Sequence, residues 1–199
     1  MVYTKNYSGG PINLKEILRY MGAKERTAEL DKMIADCITE CKEQLTYKVC
    51  YTEADFTDIC DFSNCEKCIA FAATTGIGID RLIAKYSAVS PAKALVFQAI
   101  GAERIEWLCD EFENDIKSEH KGLFPMRRKS PGYGAFPLEA QRRIFSSLDC
   151  ERKIGLTLNN SLVMSPSKSV TAVIGFTKED RRCAPQCAEC GKKDCVYRK

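Results

Sequence analysis

Cys68-Ile69-Ala70-Phe71-Ala72-Ala73-Thr74-Thr75-Gly76 is an apolar run that ends in a turn signal, and the hydrophobic period changes on both sides of it. A short apolar run bounded by glycine predicts a buried strand. Directly after it, Ile79 to Tyr86 takes helical spacing. Ser90-Pro91 then supplies an N-cap with proline at the first helical position, opening a long helix that reaches about Glu119. The early part of that helix is apolar nearly all round, while Asp110 to Glu119 carries five acids and one lysine. The first half is therefore expected to be buried and the second solvated.

Working outward, Tyr47, Val49 and Tyr51 alternate with polar residues and predict a strand. Leu30, Met33, Ile34, Cys37, Ile38, Cys41 and Leu45 repeat at three and four, which predicts a helix from about Thr27 to Leu45 with Cys37 and Cys41 on its apolar stripe. Asn13, Glu16 and Gly22 supply the start and stop signals of a short amphipathic helix over 12–21. On the other side, Gly122, Pro125, Pro131, Gly132, Gly134 and Pro137 break the pattern into a loop between Glu119 and Leu138. A loop this long inside a domain is usually functional or disordered. A helix over Leu138 to Leu148 follows, then strands over Ile154 to Leu158 and Val170 to Phe176, the latter entered through Met164-Ser165-Pro166-Ser167-Lys168-Ser169. The elements predict one α+β domain over 1–178, helices packed on a twisted antiparallel sheet, followed by a polar, cysteine-rich tail over 179–199.

Composition narrows the function. The chain has 199 residues, 45% apolar and 29% charged, with 30 Lys+Arg against 27 Asp+Glu, enough to build a core. A net charge of +3 is too small to argue for nucleic acid. The one histidine, His120, excludes sites built on several imidazoles and is expected to cap the long helix. No apolar stretch approaches the roughly 18 residues of a membrane span, and Met1 to Asn6 lacks the apolar region of a signal peptide. A cytoplasmic location is expected. In a reducing compartment the 12 cysteines are then thiols and metal ligands rather than a disulfide framework.

Four of them, Cys183, Cys187, Cys190 and Cys195, are spaced C-x3-C-x2-C-x4-C. Four thiolates can close a tetrahedral zinc or bind a four-iron four-sulfur cluster, and their crowding into one short run favours the cluster. The first three match the spacing of radical enzymes that use S-adenosylmethionine, but only nine residues follow Cys190, too few for the barrel such enzymes build after the motif. Cys65-Glu66-Lys67-Cys68 is a C-x2-C pair that reads as a turn into a strand, or as half of a metal or redox site with Cys60 as a third member. The loop Arg128-Lys129-Ser130-Pro131-Gly132-Tyr133-Gly134 places a guanidinium, open backbone and an aromatic ring close together, as an anion site or as a solvated turn. Ser165-Pro166-Ser167-Lys168-Ser169 is open to the same two readings.

Arg128-Lys129-Ser130-Pro131-Gly132-Tyr133, the helix Leu138 to Leu148, Ile154-Gly155-Leu156-Thr157-Leu158 and Met164-Ser165-Pro166-Ser167-Lys168-Ser169-Val170, in that order, resemble the activation (reactivation) domain of cobalamin-dependent methionine synthase. Phe71 to Gly76, Asp80-Arg81-Leu82-Ile83 and the cysteine tail resemble a small stand-alone version of it. The resemblance implies an accessory subunit that acts in complex with a cobalamin-dependent methionine synthase or a related corrinoid protein, in methionine biosynthesis. It also implies S-adenosylmethionine bound in an R-x-x-x-G-Y loop, with Arg128 on the ligand carboxylate, backbone contacts from Ser130 and Gly132, and Tyr133 lining the pocket. One electron and the ligand's methyl group then return oxidised cob(II)alamin, held by the partner, to methylcobalamin. Two features depart from the longer relatives: Ala135-Phe136-Pro137 stands where they have A-C-P, and the four-cysteine tail replaces their tyrosine-bearing C-terminal segment. An iron-sulfur cluster in that tail is expected to deliver the electron, in place of a separate electron donor. Two other roles fit the same residues: a zinc-stabilised, non-catalytic subunit of a split methionine synthase, and a reductive activator of another corrinoid methyltransferase.

Overall fold

The strand built on Cys68 to Ala73 occupies the middle of a five-stranded sheet. The computed structural model describes residues 1–59 and 62–178. In chain order the elements are β1 (Tyr3–Tyr7), α1 (Leu14–Met21), α2 (Ala28–Cys41), β2 (Tyr47–Glu53), β3 (Lys67–Thr74), α3 (Gly78–Val89), α4 (Pro91–Glu119), β4 (Phe124–Pro125), α5 (Ala140–Leu148), α6 (Cys150–Ile154), β5 (Thr157–Leu158), β6 (Met164–Ser165) and β7 (Ser169–Thr177). The sheet runs β1-β2-β3-β7-β4, antiparallel at every pairing, and β5 and β6 form a separate two-stranded ribbon.

The period of two along β3 assigns its side chains to two cores. Ile69, Phe71 and Ala73 face α4 together with Val49, Ala172, Ile174 and Phe176. Cys68, Ala70 and Ala72 face the opposite side, where Phe56, Phe62, Phe136, Ile144, Leu148 and Ile154 cover the sheet. Because both faces are covered, the strand reads as an unbroken apolar run. A third core joins α1, α2 and α3 to the first half of α4 through Ile17, Ile34, Cys37, Cys41, Ile79, Phe97 and Ile100.

The first two helices start at side-chain caps, whereas Ser90 precedes Pro91 of α4 without a side-chain cap bond. Asn13 accepts from the amides of Lys15 and Glu16, Thr27 accepts from Leu30 N, and Gly22 ends α1 at φ 66°, a left-handed conformation that glycine adopts without a Cβ penalty. His120 closes α4, its Nδ1 3.0 Å from the carbonyl of Ile116 and its ring stacked on Phe176.

Two expectations need correction, and one strand carries no sequence signal. The second half of α4 is not simply solvated, because Ile105, Leu108, Cys109, Phe112 and Ile116 form a buried stripe on the sheet while the acids occupy the other flank. Ile154 to Leu158 is not one strand: Cys150–Ile154 is a helical turn closed by Gly155 at φ 71°, and only Thr157–Leu158 pairs. The N-terminal residues Tyr3–Tyr7 form an edge strand on β2, aligned by Tyr3↔Tyr51 and Tyr7↔Tyr47. That strand has aromatic residues only at its two ends, with Thr4, Lys5 and Asn6 between them, so it carries no period-two signal. No helix among the described residues is long and apolar enough to cross a membrane.

Candidate functional site

The segment after β4 continues along the edge of β7 instead of leaving the sheet. Met126 N donates to Gly175 O at 2.7 Å, and Lys129 and Val173 exchange hydrogen bonds of 3.0 and 2.9 Å. Between the Pro125↔Phe176 pair and the Lys129↔Val173 bridge the register slips by one residue. Arg127 and Arg128 therefore sit in a β-bulge, the device that re-aims a side chain at a sheet edge. Met126 lies over the Phe62 face of the sheet, and Arg128 turns to the opposite face, toward α4.

Glu106, Asp110 and Glu113 repeat at four and three along α4 and meet Arg128 as one stripe. Arg128 Nη1 donates to Asp110 Oδ1 at 2.6 Å and Glu113 Oε1 at 2.7 Å, and Nη2 donates to Glu106 Oε2 at 2.7 Å. The Arg128 side chain is 17% exposed. Burial alone would lower its pKa, but the surrounding carboxylates reverse that and hold it above the ordinary value. Burial pushes the Glu113 carboxyl up, although Arg128 pulls it the other way. The cluster places three carboxylates against Arg128, with the exposed Arg127 alongside.

Beyond the bulge the loop closes on itself. Tyr133 N donates to Ser130 O, Gly132 N to Phe136 O, and Phe136 N to Tyr133 O. Gly132 takes φ 90°, which lets this turn form. Phe136, 1% exposed, is seated between Phe56 and Phe62 at centroid distances of 6.1 and 5.6 Å. One end of the loop is thus anchored in the core, while Tyr133 at its tip is 74% exposed. Arg128, Ser130, Gly132 and Tyr133 are brought into one loop, with Arg128 directed at α4 and Tyr133 at solvent.

The second motif is occupied from within. Ser167 donates from its amide to Asp80 Oδ2 at 2.7 Å and from its hydroxyl to Asp80 Oδ1 at 2.6 Å. Lys168 O accepts from Thr75 N, and Ser169 Oγ bonds Thr74 Oγ1 and Pro166 O. Asp80 at the start of α3 takes the donors an anion would use, so this stretch is a strand-entry turn. It ties the Thr74-Thr75-Gly76 turn to β7.

Among the scattered cysteines, Cys37, Cys41, Cys68 and Cys109 are buried and their thiols are pushed up by desolvation, Cys37 to about 11 and Cys41 and Cys68 to about 12. Cys50 and Cys150 meet with sulfurs 4.0 Å apart, a pairing across 100 residues that spacing could not reveal. Cys183, Cys187, Cys190 and Cys195 lie outside the described residues, as does Cys60. The acids Glu106, Asp110 and Glu113 were also missed as site residues. Asp110 and Glu113 fall in the acidic stretch expected to be solvated, and nothing in the sequence says which cation they and Glu106 face.

Residues 110–184 match a family model described as vitamin B12 dependent methionine synthase, activation domain. No curated protein matches the chain. The fold is similar to that in a crystal structure of the MetH reactivation domain bound to AdoHcy, with a TM-score of 0.66 and 14% sequence identity over 92% of this chain and 81% of that one. The fold, helices packed on an antiparallel sheet, is therefore that of the MetH reactivation domain.

Proposed function

We propose, from the premise that this chain has the reactivation-domain fold and carries the activation-domain pattern of vitamin B12-dependent methionine synthase over residues 110–184, that it reactivates a corrinoid methyltransferase by presenting S-adenosylmethionine to it. The observation that carries the reading is the position of the R-x-x-x-G-Y loop inside the matched segment, bulged off β7 and braced on α4. The similar solved domain was crystallised with AdoHcy, which is S-adenosylmethionine without its transferable methyl group.

The residues fit such a ligand in charge. S-adenosylmethionine carries a carboxylate, an ammonium and a sulfonium. Arg128 offers a planar fork for the carboxylate, while Glu106, Asp110 and Glu113 offer carboxylates to the cationic groups. The fork is already engaged by those acids, so ligand binding exchanges one carboxylate partner of Arg128 for another. Ser130 O and Gly132 N close the loop's own turns, so backbone contacts to the ligand would come from the other main-chain groups of these two residues, and the exposed Tyr133 ring can cover the ligand. When bound, S-adenosylmethionine supplies the methyl group; this chain's residues hold and orient it, and the cobalt belongs to the partner.

The reductive part of the reading rests on the tail alone. The spacing of Cys183, Cys187, Cys190 and Cys195 suits an iron-sulfur cluster that serves as the local electron source, or a zinc ion. Anaerobic purification with iron, sulfide and zinc analysis separates the two. One zinc without iron would remove the electron-delivery role and favour the zinc-stabilised subunit of a split synthase.

The experiment for the whole reading mixes the purified chain with a cob(II)alamin-loaded corrinoid methyltransferase captured from the same cells, S-adenosylmethionine and a reductant. Growth of the methylcobalamin absorption only when the chain is present supports the reading. An unchanged cob(II)alamin spectrum contradicts it.

A further inference from the structure

Gly175 pairs regularly with Cys68 across the β3–β7 ladder, and its backbone does not lie in the left-handed region. What requires glycine there is space. A Cβ at this position would fall 2.4 Å from Cys65 Sγ, 3.2 Å from Phe62 Cδ1 and 3.3 Å from Met126 Sδ. The Cys65 thiol donates to Met126 Sδ at 3.5 Å and is hydrogen-bonded to Cys68, the residue opposite Gly175. Three sulfur side chains, from the approach to β3, from β3 itself and from the bulged segment, thus gather over a position where the side chain has been omitted.

The two thiol residues border the surface. Cys65 and Cys68 line an open cleft of about 240 Å³ whose walls include Glu53, Asp55, Glu66 and Lys67. Lys67 is paired with Glu53, leaving the cleft net acidic. Two thiols and a thioether form a soft donor set, which selects Cu(I) over harder cations. Among the described residues no group of three His, Cys, Asp or Glu side chains is placed to hold a metal, so a zinc or iron ion finds no shell here without the thioether.

We propose that Cys65, Cys68 and Met126 form a three-sulfur site for a soft monovalent cation, Cu(I). Binding makes two copper–thiolate bonds and one copper–thioether bond and releases the two thiol protons to solvent, with no change in oxidation state. Because the two thiols give up their protons on binding, affinity rises with pH.

The test uses the full chain with Cys183, Cys187, Cys190 and Cys195 changed to Ser, so that the tail thiols do not compete. Cu(I) is titrated anaerobically against a chromophoric Cu(I) chelator, and bound copper is examined by X-ray absorption. The site predicts about one Cu(I) per chain in an all-sulfur shell. It also predicts loss of that copper in Cys65→Ser and at least about tenfold weaker retention in Met126→Leu, which preserves core volume. Cys50→Ser should leave retention unchanged, because the Cys50–Cys150 pair is a separate buried contact. Failure to hold copper against the chelator, or equal retention by Met126→Leu and the parent, overturns the proposal. So does loss of copper in Cys50→Ser but not in Cys65→Ser.

Discussion

Arg128 Nη1 lies 2.7 Å from Glu113 Oε1, and this bond joins the bulged loop to the long helix that crosses the sheet. Because Glu106 and Asp110 share the same guanidinium, the contact depends on the planar, multidentate shape of Arg and not on charge alone. Arg128→Lys keeps the charge and loses the fork. Urea unfolding should show a loss of about 1–2 kcal/mol, and a change within error would mean that the three acids need only a point charge.

The Glu113 carboxyl has a folded pKa above its ordinary value of 4.5, so between the two values the native state binds more protons than the unfolded one. Its contribution to stability is present below the ordinary value and is lost as pH rises through the folded value. Unfolding of the parent and Glu113→Gln from pH 4 to 7 should therefore show the parent losing ground to the variant as pH increases. The opposite trend would mean that Arg128 outweighs desolvation.

Asp115 behaves in the opposite sense. Its pKa is lowered, first by the 2.8 Å hydrogen bond from Tyr7 on β1 and then, against the effect of burial, by Lys5. Stability from this contact is present above the ordinary value of 3.8 and is lost as pH falls through the lower folded value. In Tyr7→Phe, carboxyl NMR should find the Asp115 pKa moved up toward 3.8. An unmoved value would assign the shift to Lys5.

Phe136 packs edge-on against Phe56 and Phe62. Phe136→Ala should cost about 3–4 kcal/mol through the cavity it leaves and release the anchored end of the loop, read as faster hydrogen exchange at the amides of Gly132 and Tyr133. A cost near zero would mean that the three-ring cluster collapses without penalty.

What could be read from the sequence followed the strength of local signals. Asn13 and Gly22 bracket α1, Thr27 starts α2 and Ser90-Pro91 starts α4, because caps and proline act within one turn of chain. Gly155, in contrast, ends a five-residue helical turn whose residues resemble a strand entry. The edge strand Tyr3–Tyr7 becomes legible only when the pairing aromatic residues of β2 are known. Within the site, Arg128 and Gly132 were visible as residue types suited to a ligand loop. The bulge that turns Arg128 toward α4 and the gathering of Cys65, Cys68 and Met126 over Gly175 depend on pairing with β7, far along the chain, and the acids that Arg128 meets come from the preceding helix; local pattern carries no trace of these contacts.

Isothermal titration of S-adenosylmethionine into the full chain and into Arg128→Ala and Arg128→Lys, with thermal melts confirming that each variant is folded, tests whether Arg128 holds the ligand. Saturable binding to the parent, at least about tenfold weaker binding to Arg128→Lys and no measurable binding to Arg128→Ala are expected. Equal affinities in folded variants, or no binding to the parent, would contradict that role.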